Sequence, residues 1–175
     1  MQTLIYNLFL INNMQFKEEL KRLKESKEFK VWEKENKRAY LTHFFTMIKQ
    51  NNQTPWQLGY YDKKTDKVTA FFMEKEIKIS PPAEVFKKQG IVKPLDITHV
   101  KIELDKALKI SEQEQKKYKE TIAQTIVILQ NLDLGTTWNI TYLTHSFNAI
   151  NFKIDVKNGK ILHQGKTTFL EHKAS

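Results

Sequence analysis

The chain has 175 residues, 40% of them hydrophobic and 28% charged, with three Trp, six Tyr, eleven Phe and no Cys. That is enough apolar material for one packed domain, or two small ones sharing a core, and the lack of Cys excludes a disulfide framework and thiolate metal sites. The net charge is +9, yet only Arg22 and Arg38 among the 29 basic residues are Arg; phosphate and base recognition draws on the bidentate fork of Arg, so this Lys excess speaks for solvated faces over a dedicated nucleic-acid surface.

Residues 1–13 are apolar in their middle but lack the positive start and small-residue cleavage site of a secretory signal. They read as an extension ahead of Met14, and no apolar run is long enough to span a bilayer. A cytoplasmic protein is the default expectation. Phe16, Leu20 and Leu23 recur at helical spacing, and Ser26 is placed to cap a second short helix carrying Phe29 and Trp32. Leu41 to Ile48 reads as a buried strand. Asn51-Asn52-Gln53-Thr54-Pro55 is a turn cluster, followed by a hairpin of Trp56–Tyr61 and Val68–Met73 around Asp62–Lys67. Glu76 to Ile79 extends the edge with alternating charges that discourage pairing with other chains.

Pro81-Pro82 punctuates the chain. Ala83 to Gln89 is predicted as a short helix stopped by Gly90. Leu104, Ala107 and Leu108 turn helical, and Ser111 is predicted to begin another helix reaching about Ile122. Strands are predicted over Thr125–Gln130, Trp138–Leu143, Ile150–Val156 and Lys160–Gln164. The last two flank Asn158-Gly159, a type I′ hairpin signal because both residues accept positive φ.

Thr54-Pro55-Trp56-Gln57-Leu58-Gly59-Tyr60 is echoed 82 residues later by Thr136-Thr137-Trp138-Asn139-Ile140-Thr141-Tyr142. At that offset Phe44, Phe45 and Met47 fall on Ile126, Val127 and Leu129, and Val68, Ala70 and Phe72 fall on Ile150, Phe152 and Ile154. A rival offset of 102 matches Tyr40-Leu41-Thr42-His43 to Tyr142-Leu143-Thr144-His145 but continues only across a gap. The offset of 82 implies an extension (1–13), a first unit (14–93) and a second unit (94–175), each a helical stretch followed by an antiparallel meander. The predicted fold is therefore α+β, with two similar helix-plus-antiparallel-sheet units about a pseudo-twofold axis.

Three segments resemble the PepSY domain and its cystatin-like α+β layout. They are Val100-Lys-Ile-Glu-Leu-Asp-Lys-Ala-Leu-Lys-Ile110, the strand Ile126-Val-Ile-Leu-Gln130, and Ile154-Asp-Val-Lys-Asn-Gly-Lys-Ile-Leu162, which resembles the closing hairpin of that domain. The likeness covers residues 95–165. In the first unit Asp62-Lys63-Lys64-Thr65-Asp66-Lys67-Val68 keeps Asp, Lys and Val but lacks the Gly. The resemblance implies a non-catalytic binding or inhibitory module, often outside the cytoplasm, and brings no catalytic residues.

The chemistry read directly from the residues agrees. His43, His99, His145, His163 and His172 form no metal-ligand spacing. There is no glycine-rich phosphate loop and no nucleophile elbow. Asp62 and Asp66 are turn formers. The candidate binding residues are Trp56 and Trp138 with Tyr60 and Tyr142, whose rings offer stacking area if exposed, and His43 and His145, which both follow Leu-Thr in a predicted strand. Core packing of the two Trp is the competing reading. A distant-residue site would be sought at His43, His145 and Asp155. The leading expectation is a binding module, not an enzyme, needing neither metal nor cofactor. It would take a protein or peptide through a sheet face or edge strand. The alternative is a small basic binder of single-stranded nucleic acid or another polyanion.

Overall fold

The computed structural model describes residues 16–84 and 92–169. Helix α1 (Phe16–Glu25) forms because Phe16, Leu20 and Leu23 make one apolar stripe, and all three are buried. Ser26 ends it and caps α2 (Lys27–Glu35), accepting a hydrogen bond from the Phe29 N–H at 3.1 Å. Arg22 ties α1 to the sheet by donating to the carbonyls of Met73, Glu74 and Lys75.

The strands are β1 (Tyr40–Lys49), β2 (Asn52–Gln53), β3 (Gln57–Asp62), β4 (Lys67–Phe72), β5 (Lys78–Ile79) and β6 (Ala83–Glu84), then, after α3 (Leu104–Gln115), β7 (Ile122–Leu132), β8 (Gly135–Thr144), β9 (Asn148–Asp155) and β10 (Ile161–Thr168). They join in one antiparallel sheet, ordered β10-β9-β8-β7-β1-β3-β4-β5, with β2 beside β1 and β6 beside β4. The fold is thus α+β, with three helices on a large antiparallel sheet. No described helix is long and apolar enough to cross a membrane.

All three helices lie on one face. Phe16 of α1 meets Phe44, Trp56 and Trp138 edge-on at the centre, at 5.4, 6.4 and 5.4 Å between ring centroids. Phe29 and Trp32 of α2 pack on Tyr60 and Phe71. Ser111 of α3 meets Tyr142 of β8. Alternation along the strands sends Phe44, Leu58, Phe71, Val127, Leu129, Ile140, Phe152 and Ile154 into this layer, each fully buried.

Four sequence expectations need correction. Ser111 starts no helix: it is buried inside α3, its hydroxyl donating to the Leu108 carbonyl and paired with the Tyr142 hydroxyl, so the core satisfies a residue that local chemistry reads as a cap. Ala83–Glu84 belong to β6, paired with Lys67 and Val68; the rest of the helix predicted there lies outside the described residues. The Asn158-Gly159 turn is not type I′, because only Gly159 has positive φ (78°). Val156 is buried, and its carbonyl receives the N–H groups of Lys101 and Ile102; this holds the chain in a wider loop closed by Asp155 N–H to Lys160 O at 2.8 Å.

The fourth concerns register. At a constant offset of 82, Trp56 and Trp138 both face the helices. On the neighbouring strands the same offset switches faces. Val68, Ala70 and Phe72 lie on the face away from the helices, whereas Ile150, Phe152 and Ile154 are buried beneath them. Phe44 is buried, but Ile126 faces away. A one-residue slip flips every side chain of a strand, so no single offset superposes the two halves.

Candidate functional site

The four aromatic candidates cannot serve as an exposed platform. Trp56 is 3% exposed, Tyr60 6%, Trp138 0% and Tyr142 4%, all beneath the helices. Trp138 is anchored by Nε1–H to the Ile102 carbonyl at 2.7 Å. Burial pushes the Tyr60 and Tyr142 hydroxyls well above the usual tyrosine range, with the nearby charges of Glu33 and Glu112 adding to the effect. These rings were selected by composition, and large aromatics fill cores as readily as surfaces. With them buried, these four rings form no base-stacking face.

The two histidines are also separated. His43 lies on β1, on the face away from the helices, directly over Gly59 of β3. Its Nδ1 is 3.0 Å from Thr42 Oγ1, whose hydroxyl donates to the Gly59 carbonyl at 3.1 Å. That hydroxyl has one proton, so Nδ1 is the donor in this network. Burial lowers the His43 pKa to about 4. His145 sits exposed in the β8–β9 turn, not in a strand. Asp155 is in the same cross-strand row as His43, through Gln130 and Thr137, and three strand spacings of about 4.8 Å put it roughly 14 Å away. The trio does not converge, and among the described residues no group of three or more His, Asp or Glu is placed to hold a metal.

Two features that the local sequence did not single out stand in their place. The first is the face away from the helices. Phe45, Met47, Phe72, Ile126 and Ile128 make its half-buried apolar part on β1, β4 and β7. On β8 and β9 it becomes polar, where Asn151 donates to Asn139 and Thr141 at 2.7 and 2.8 Å.

The second is the contrast between the two sheet edges. On β4 the outer groups are taken. Phe71 and Phe72 pair with β5, Lys67 and Val68 with β6, and Ala70 exchanges hydrogen bonds with Ser80 at 2.9 Å. Pro81-Pro82 completes that cover without adding donors. β10 is different: among the described residues it pairs on one side only, with β9, through seven of its eight residues. The Phe169 N–H donates to Phe147 O at 3.0 Å. Alternation then turns the backbone groups of residues 167, 165 and 163 toward β9 and those of Gln164, Lys166 and Thr168 outward. Asn148 and Lys166 both donate to Glu120, which anchors the strand; the Lys166 hydrogen bond is the main reason the Glu120 carboxyl is held below its usual range.

No family model matches the chain, and no curated protein matches it. Among solved structures, a crystal structure named "putative lipoprotein (CD1622)" from Clostridium difficile 630 is similar, with a TM-score of 0.51 at 16% identity, covering 80% of this chain and 90% of that one. At that identity the likeness concerns the fold alone.

Proposed function

We propose that this protein is a non-catalytic binding module that takes an extended segment of a partner protein or peptide by strand addition along β10. The observation that carries the reading is the asymmetry of the edges: β4 is covered by residues 78–84, while β10 presents outward N–H and C=O groups at Gln164, Lys166 and Thr168. An uncovered strand of this length is a template for another chain unless it is used. Main-chain hydrogen bonds would supply the affinity, which is why side-chain motifs reveal so little.

The finer layout belongs to the same proposal: two PepSY-like helix-plus-meander units about a pseudo-twofold through the β1–β7 pair. The strand order supports it, since β1, β3, β4 and β5 run outward from one side of that pair and β7, β8, β9 and β10 from the other. Both halves also carry an irregularity near the start of their first strand, at Leu41/His43 and Ile122/Gln124. A cytoplasmic location is part of the proposal, and fractionation of the host cells tests it.

The decisive experiment compares partners recovered by affinity purification from the protein's own host with wild type and with Gln164→Pro. Residue 164 directs its N–H outward, so proline there removes an edge donor without breaking the β9–β10 ladder. A partner retained by wild type and lost by the variant, with thermal stability unchanged, is the expected result. No reproducible partner, or one kept equally by both proteins, overturns the reading.

A further inference from the structure

At one end of the helix-covered layer, the last turn of α2 and the β3–β4 hairpin enclose a cavity of about 240 Å³. Its lining includes Trp32 and Asn36 from the helix and Tyr60, Asp62, Lys67 and Thr69 from the hairpin. Trp32 stands edge-on to Tyr60, with ring centroids 5.5 Å apart. Tyr60 is 6% exposed, and among the described residues its hydroxyl has no hydrogen-bond partner. Buried hydroxyls are almost always satisfied, so one left without a partner on a residue that lines a cavity marks a place where a ligand group can supply the bond.

The other polar groups are only partly committed. Asn36 donates Nδ2–H to the Trp32 carbonyl at 2.8 Å, which leaves its oxygen available. Asp62 accepts the Lys64 N–H on Oδ1 at 2.8 Å, which leaves Oδ2. Asp62 and Lys67 are direct partners across the ladder, yet among the described residues neither is in an ion pair. One carboxylate and one ammonium leave no net charge to select an ion. Around them are a hydroxyl, an amide oxygen and an indole ring.

We infer that this cavity is a binding site for a single sugar ring. A sugar hydroxyl both donates and accepts, so it matches a mixed set such as Tyr60, Asn36, Asp62 and Lys67. The ring's C–H face suits the indole of Trp32. A volume of about 240 Å³ suits one ring better than a nucleotide or an oligosaccharide held whole. The Tyr60 hydroxyl is closed off from solvent, so the ligand engages it only when a lining side chain shifts. Trp32 lines the cavity and Trp56 and Trp138 do not, which makes Trp32 the reporter of binding in the emission. The site uses no residue of the β10 edge and stands or falls separately.

The test is titration of the full chain with D-glucose, D-galactose and N-acetyl-D-glucosamine, followed by tryptophan emission and by saturation-transfer NMR. At least one sugar is expected to saturate with a dissociation constant on the order of 1 mM. The emission change should vanish in Trp32→Phe. Tyr60→Phe and Asp62→Asn should each weaken binding about tenfold, with urea midpoints no lower than wild type for Tyr60→Phe. No saturable response to any of the three sugars by a folded protein overturns the inference. So does a response that survives Asp62→Asn unchanged, or saturation by L-alanine or inorganic phosphate in place of the sugars.

Discussion

Gly59→Ala is the sharpest perturbation that the sheet offers. A Cβ built on Gly59 would lie 2.0 Å from Cε1 of His43 and 2.6 Å from both ring nitrogens, where no pair of atoms can remain. The ring must therefore leave its place over β3. That forfeits the 3.0 Å contact between Nδ1 and Thr42 Oγ1 and exposes the backbone that the imidazole covers. Overpacking of this kind costs about 1–3 kcal/mol, and a lost hydrogen bond adds about 1 kcal/mol, so a loss of about 2–4 kcal/mol is expected. The decisive assay is a double-mutant cycle by urea unfolding, because removing the ring should relieve the clash. With a slope of about 2 kcal/mol per molar urea, Gly59→Ala alone should lower the midpoint by about 1–2 M. In a His43→Ala background the same substitution should cost far less, with a coupling of about 1–3 kcal/mol. If Gly59→Ala is equally damaging with and without the imidazole, the strain lies elsewhere and the reasoning is wrong.

The same histidine predicts a pH dependence. Burial lowers the His43 pKa from 6.5 to about 4, so between those values the unfolded chain binds more protons than the folded one. The stability tied to the neutral ring is fully present above pH 6.5 and is lost as pH falls through about 4; the shift corresponds to about 3 kcal/mol. Urea midpoints at pH 7.5 and 4.5 should differ less for His43→Gln than for wild type, and an equal difference would discard this assignment. Two buried tyrosines give a contrasting pair. Tyr142→Phe breaks the 2.7 Å bond to Ser111 and should cost about 1–2 kcal/mol, while Tyr60→Phe removes an unpartnered hydroxyl and should be neutral or stabilising. Equal losses for the two in urea unfolding would mean that the Tyr60 hydroxyl has a partner after all.

Local chemistry made most of the elements legible. The apolar stripe of Phe16, Leu20 and Leu23 predicts α1, Ser26 caps α2, and alternation in the β3–β4 and β9–β10 regions predicts strands where strands occur. These signals work because helix period, capping and strand period are settled within a few residues. The sequence alone also identified the class, helices with an antiparallel sheet. Long-range packing decided the rest. Ser111 reads as a helix start until Tyr142, thirty-one positions away, supplies a buried partner. Asn158-Gly159 reads as a two-residue turn until Val156 is pinned by Lys101 and Ile102. Trp56 and Trp138 read as core ahead of platform, but alternation says only that a strand has two faces and not which one the helices will cover. The uncovered edge of β10 and the cavity at Tyr60 have no local signature at all. Each exists only through what other described residues pack against β4, and through what they leave open beside β10 and around Tyr60.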